Sequence, residues 1–188
     1  MENKRTTAID LGLTAEEKET LHKIARDAIE CKIKDRELPH VHFDSQLLNE
    51  NRGAFVSLHR RGSLRGCIGF IQAVKPLHTT IKDMAEAAAF HDPRFEPLQE
   101  NELDDLEIEI SVLTPMKEIS NTDEIEVGRH GLMITKGYAS GLLLPQVATE
   151  YEWDRETFLE HTCTKAGLHT SAWKDKDTKI YLFTADVF

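Results

Sequence analysis

Residues 54–69 constrain the fold more than any other stretch. Two short, largely apolar segments meet across Arg60-Arg61-Gly62, the pattern of an antiparallel hairpin. A three-residue loop with Gly62 in the left-handed region is expected to pair Leu58 with Leu64, Val56 with Gly66 and Ala54 with Ile68. That register gathers the aliphatic residues on one face. Phe55, Ser57, His59, Ser63, Arg65 and Cys67 then share the other, with Cys67 across from Phe55 and Arg65 across from Ser57. A two-residue loop at Arg61-Gly62 would put Val56 and Leu58 on the face of Arg65 and Cys67, which mixes apolar and polar faces.

Arg65 and Cys67 are two residues apart, about 7 Å between Cα atoms on one face of a strand. A neighbouring cation favours the nucleophilic thiolate, so Cys67 is a candidate reactive thiol. A free cysteine is equally at home as a small buried hydrophobe. His59 lies roughly 13 Å along the strand and cannot serve as the thiol's direct base. Gly66 and Gly69, on either side of Cys67, leave room for a ligand or another backbone to approach.

Around the hairpin the chain mixes helices and strands without regular alternation. Thr14-Ala15-Glu16-Glu17 is a capping box, and Leu21, Ile24, Ala25, Ala28 and Ile29 form one apolar stripe of a helix running to about Ile33. Residues 34–52 read as irregular. Pro76 suits the first turn of a second helix whose Leu77, Ile81, Met84, Ala85 and Ala88 face inward, until Asp92-Pro93 stops it. Leu106, Ile108, Ile110 and Val112 alternate with Glu107, Glu109 and Ser111, as in a strand with one solvated face, and the acidic run over 100–109 reads as solvent-facing. Asp154 opens a third helix carrying Phe158, Leu159, Thr162 and Ala166, closed by Gly167. Residues 179–188 read as a final strand. Residues 53–69 and 131–147, each a hairpin leading into a helix, echo one another as a duplication would. The fold class expected is α+β, an antiparallel sheet flanked by helices.

At 188 residues the chain can bury a real core without disulfides. Cys31, Cys67 and Cys163 have no paired spacing, and no signal peptide or long apolar run is evident. The expectation is a soluble protein of the reducing cytoplasm, with no membrane association. A net charge of -10 argues against nucleic-acid binding, which depends on Lys and Arg at phosphates. The basic cluster His59-Arg60-Arg61 with Arg65 reads as a solvated hairpin tip.

Other motifs are weaker. His40-Val41-His42 has strand spacing for two metal ligands but no second pair, and reads as a surface loop. Residues 91–95, His-Asp-Pro-Arg-Phe, offer a base, a carboxylate and a guanidinium, or a plain helix stop with a structural Asp92–Arg94 pair. His130 sits at a turn into a strand, and Cys163 on the apolar face of the third helix. There is no P-loop, dinucleotide fingerprint, zinc-protease motif or serine elbow.

Taken in order, the segments at 64–69 (Leu-Arg-Gly-Cys-Ile-Gly), 92–95 (Asp-Pro-Arg-Phe), 109–113, 128–132, 144–148, 153–154 and 165–168 resemble the AMMECR domain family. Its bacterial and archaeal members are called AmmeMemoRadiSam system protein A. The likeness runs from about Thr14 to Phe188, which reads the chain as a single domain over 1–188. It implies a larger and a smaller subdomain with a cleft between them, whose boundaries the sequence does not resolve. By that resemblance Arg65, Gly66, Cys67, Gly69, Asp92, Arg94 and His130 are the candidate cleft residues. Memo-type and radical-SAM proteins become the implied partners, with a small-molecule ligand also compatible. The resemblance leaves the cofactor unknown. Two functions follow: a binding or accessory component, or an enzyme in which Cys67 acts as nucleophile or group carrier, assisted by Arg65 and His130.

Overall fold

The computed structural model describes residues 11–39 and 42–188, which form two compact units. The larger holds the described residues up to Leu113 together with Asp186–Phe188, and the smaller holds Thr114–Ala185.

The larger unit contains α1 (Ala15–Ile33), the single turn α2 (Gln46–Asn49), β1 (Ala54–Arg60), β2 (Ser63–Phe70), α3 (Leu77–Phe90) and β3 (Leu106–Leu113). The capping box is present: Glu17 donates its backbone N–H to the Thr14 hydroxyl, and the Thr14 N–H reaches the Glu17 carboxylate at 2.8 Å. Leu21, Ala25, Ala28 and Ile29 are buried, as the stripe predicts, and α1 lies on α3. Pro76 is the N-cap of α3 and not its first residue; Leu77, Ile81, Ala85, Ala88 and Ala89 are buried. The alanines keep that helix slim, and it packs on β1 and β2. The 19-residue segment read as irregular includes α2, capped by Ser45, whose hydroxyl accepts the Leu48 N–H.

The smaller unit contains β4 (Lys117–Ile119), β5 (Gly131–Lys136), β6 (Ala139–Leu143), α4 (Pro145–Glu150), α5 (Arg155–Lys165) and β7 (Lys179–Phe183). Its core gathers Ile125, Leu132, Ile134, Phe158, Leu159 and Cys163. Asp154 caps α5 by accepting the Thr157 N–H, and Gly167 follows that helix at φ +73°. The final strand expected over 179–188 is in fact two. β7 pairs with β5 and β4, whereas β8 (Ala185–Val187) joins the other sheet beside β3.

Both sheets are antiparallel in their described pairings, with strand orders β2-β1-β3-β8 and β4-β7-β5-β6, so the α+β expectation holds. Each sheet ends in the second strand of a hairpin, β2 in one and β6 in the other. Each of those edge strands carries a glycine pressed against helix backbone. A Cβ on Gly66 would stand 2.2 Å from the Ala88 carbonyl oxygen, and one on Gly141 would stand 2.3 Å from the Ala166 nitrogen.

Candidate functional site

The β1–β2 hairpin departs from the expected register in an informative way. Arg61 and Gly62 both take positive φ, +51° and +75°, so the loop has two residues. A β-bulge then restores the faces. Arg60 pairs with Ser63 and His59 with Leu64, but Leu58 pairs with Gly66, leaving Arg65 as the extra residue. Beyond the bulge Ser57 faces Cys67, Val56 faces Ile68 and Phe55 faces Gly69. The pairing is two residues away from the three-residue-loop register. An even shift preserves faces, so Cys67 does lie with Phe55 and Ser57, opposite the aliphatic residues.

The bulge moves Arg65 off that face. Its guanidinium grips Glu102 through Nε to Oε1 and Nη2 to Oε2, both 3.0 Å, and Arg60 Nη1 donates to the same Oε1 at 3.0 Å. Glu102 also accepts the Gln99 N–H at 2.9 Å, which starts the short 3₁₀ turn Glu100–Asp105. Glu102 is buried, and its guanidinium partners hold its carboxyl down at about 2. The acidic run is therefore not uniformly solvated: Glu102 is the counter-ion of Arg60 and Arg65, while Arg61 pairs with Asp105 at 2.8 Å. Three arginines within six residues were the sequence sign that a carboxylate had to lie nearby.

Asp92 and Arg94 meet Cys67 through its backbone. β2 is an edge strand, and its free side presents the Cys67 N–H and C=O. Asp92 Oδ2 accepts the N–H at 2.9 Å, and Arg94 Nη2 donates to the carbonyl at 3.2 Å. The two side chains are locked together by Arg94 Nη2 to Asp92 Oδ2 at 2.7 Å and Nε to Oδ1 at 2.9 Å, while the Arg94 N–H returns to Oδ1 at 3.1 Å. Asp92 is buried, and the arginine keeps its carboxyl well below the usual carboxylate range. Phe95 completes the contact, its ring centre 5.9 Å from the Arg65 guanidinium carbon and 5.5 Å from that of Arg94. Segments 64–69 and 92–95 thus form one piece of structure, in which a side-chain clamp covers an open strand edge.

The thiol itself receives a hydrogen bond from the Ser57 hydroxyl, Oγ to Sγ 3.3 Å, and is half-buried. Across β1 from Ser57 stands Glu109 on β3, so Cys67, Ser57 and Glu109 form a row over three strands. The spaces beside Gly66 and Gly69 are filled from within. The Ala88 backbone occupies the first, and the Phe55 ring occupies the second, where a Cβ on Gly69 would meet it at 2.0 Å. Gly66 thus admits another backbone, one of the two occupants the sequence allowed, and Gly69 admits an aromatic ring.

His130 belongs to the smaller unit. Its Nδ1 accepts the Glu126 N–H at 3.0 Å, which puts the proton of a neutral ring on Nε2. Burial pushes its pKa down. It lines an open pocket of about 430 Å³ with Thr114, Lys117, Glu126 and Thr184. His91 is exposed at the C-cap of α3, and Cys163 is fully buried with its thiol pKa raised by that burial. His40 and Val41 lie outside the described residues; His42 stands 3.7 Å from Asp44. Among the described residues no group of three or more His, Cys, Asp and Glu side chains is placed to hold a metal, and no helix is long and apolar enough to cross a membrane.

The AMMECR1 family model matches residues 22–188. The chain belongs to the AMMECR1 family. A protein of Methanothermobacter thermautotrophicus is 44% identical over 94% of this chain and 95% of its own length, and one of Thermococcus onnurineus is 48% identical over 90% and 88%. The crystal structure of the uncharacterised protein PH0010 from Pyrococcus horikoshii is similar at a TM-score of 0.87 with 43% identity, covering 93% of this chain and 92% of that one. This AMMECR1-family fold therefore recurs in an experimentally solved relative.

Proposed function

We propose that this AMMECR1-family chain is a binding or accessory component, working with Memo-type and radical-SAM proteins, and that the Cys67 face of the larger unit takes part in docking. The observation that carries the reading is how the charged residues around Cys67 are used. Arg65 is held by Glu102, and Asp92 with Arg94 clamps the Cys67 backbone. These groups fix the position of a half-buried thiol and hold a strand edge in shape. A rigid, preformed surface suits recognition because little order remains to be imposed on binding.

A second reading is supported by the Cys67–Ser57–Glu109 row, in which a hydroxyl bonded to the thiol is followed by a carboxylate across the next strand. In that reading Cys67 is a nucleophile or group carrier, with His130 a further candidate and Arg65 acting only on the hairpin's shape.

Cys67→Ala separates the two. With the proposed Memo-type and radical-SAM partners present, a binding component keeps the complex and the system's output. An enzyme keeps the complex and loses the output. Absence of association in pull-down or calorimetry at protein concentrations of tens of micromolar removes the partner assignment.

A further inference from the structure

The smaller unit carries a stack of three rings that the preceding reading does not use. Tyr151 lies on Trp153 with ring centres 5.1 Å apart and planes at 19°, and Trp153 lies on His161 at 3.9 Å and 3°. Trp153 packs against the unit's core, which anchors the stack. Tyr151, at the outer end, is 66% exposed. The turn carrying the rings is well fixed. The N–H groups of Tyr151, Glu152 and Trp153 donate back to Val147, Thr149 and Ala148, and Glu152 between the two rings sits at φ +52°, a conformation uncommon outside glycine.

Charge selects among the planar groups that could cover such a surface. Glu150, Glu152 and Glu160 flank the rings in sequence, and their carboxylates have no hydrogen-bond or ion-pair partner among the described residues. Of the cations in this part of the unit, Arg155 is engaged with Asp123 at 2.5 Å and Lys174 with Glu156 at 3.0 Å, which leaves Lys165, one turn beyond His161, against three unpaired carboxylates. The net charge of the whole chain is -10. A nucleotide would bring phosphates toward unpaired carboxylates, which is unfavourable. An arginine guanidinium is planar, stacks on aromatic faces and carries the complementary charge.

We infer that the Tyr151–Trp153–His161 stack is a docking site for an exposed arginine of a partner protein. The stack holds the tyrosine ring in place before binding, so little side-chain freedom is lost when a guanidinium lies over it. The site belongs to the smaller unit and does not depend on the role of Cys67.

The test is an NMR titration of the full chain with a soluble Gly-Arg-Gly-Gly repeat peptide and its lysine and glutamate counterparts. The arginine peptide is expected to shift the Trp153 indole and the backbone amides of Tyr151 to Asp154. The lysine peptide should bind roughly two- to fivefold more weakly, and Tyr151→Ala should lose a similar factor for the arginine peptide while Tyr151→Phe retains binding. Glu152→Gln should weaken binding and flatten its salt dependence. Equal affinity for the arginine and lysine peptides, unchanged binding by Tyr151→Ala, or no perturbation at millimolar peptide would each overturn the proposal.

Discussion

Glu102→Gln tests whether Arg65 builds the hairpin or serves the thiol. The substitution keeps size and shape but removes the charge that two guanidinium groups share, and turns an amide N–H₂ toward donors. The carboxyl falls from 4.5 to about 2 in the folded chain, which corresponds to about 3 kcal/mol of stabilisation. Breaking a buried ion pair costs about 3–5 kcal/mol, and side-chain exposures of 11% for Glu102 and 15% for Arg65 place this pair near the lower end. The direction with pH follows from a depressed folded pKa. The contribution is complete above about 4.5, and it is lost as pH falls from there through about 2. The variant should therefore be about 2–3 kcal/mol less stable than wild type at pH 7, with the gap narrowing below pH 4.5. Asp92 titrates in the same direction in both proteins and cancels in the difference. Urea unfolding followed by circular dichroism is the appropriate assay, because both tryptophans lie in the smaller unit. A loss under about 0.5 kcal/mol, as for an exposed pair, or a gap that stays constant with pH, would refute the reasoning.

Gly66→Ala should cost about 1–3 kcal/mol, because its Cβ would stand 2.2 Å from the Ala88 carbonyl oxygen and α3 would have to lift; an unchanged Tm would contradict the close packing. Asp92→Asn weakens the grip on Arg94, so the Cys67 amide should exchange with solvent faster while amides of α5 do not change; equal protection of the Cys67 amide in both proteins would remove the clamp. In the native chain iodoacetamide should modify the half-buried Cys67 ahead of Cys163, which is fully buried with a raised pKa. Mass spectrometry that finds Cys163 labelled as fast would contradict the placement of α5.

Much of the fold was legible because its signals are local. The capping box at Thr14 and Glu17, the stripe of α1 and the Asp154 cap each depend on a few adjacent residues, and alternation located β3, although Ser111 on its expected solvated face is buried. The hairpin register was harder, since a two-residue loop with a bulge and a three-residue loop both place Ala54, Val56, Leu58 and Ile68 on one face. That difference turns Leu64 from the aliphatic face to pair with His59, where it is exposed, and takes Arg65 out of the ladder, and with it the notion of a cation beside the thiol. Glu102 was hidden because burial of one carboxylate in an acidic run depends on where the arginines of a distant hairpin arrive. The break between β7 and β8 likewise came from tertiary pairing, as residues 179–188 read as one extended stretch. Asp92 and Arg94 were legible as a pair, but their grip on the Cys67 backbone required knowing that β2 is an edge strand.

The most direct test of the proposed docking role is calorimetry of a Memo-type and a radical-SAM protein, the proposed partners, with wild type, Cys67→Ser and Cys67→Trp, each checked for intact folding by circular dichroism. Serine preserves the size and the Ser57 contact, whereas tryptophan projects bulk from the same clamped backbone position. Affinity should stay within about twofold for serine and fall about tenfold or more for tryptophan. Tryptophan at this position binding like wild type would contradict the docking role.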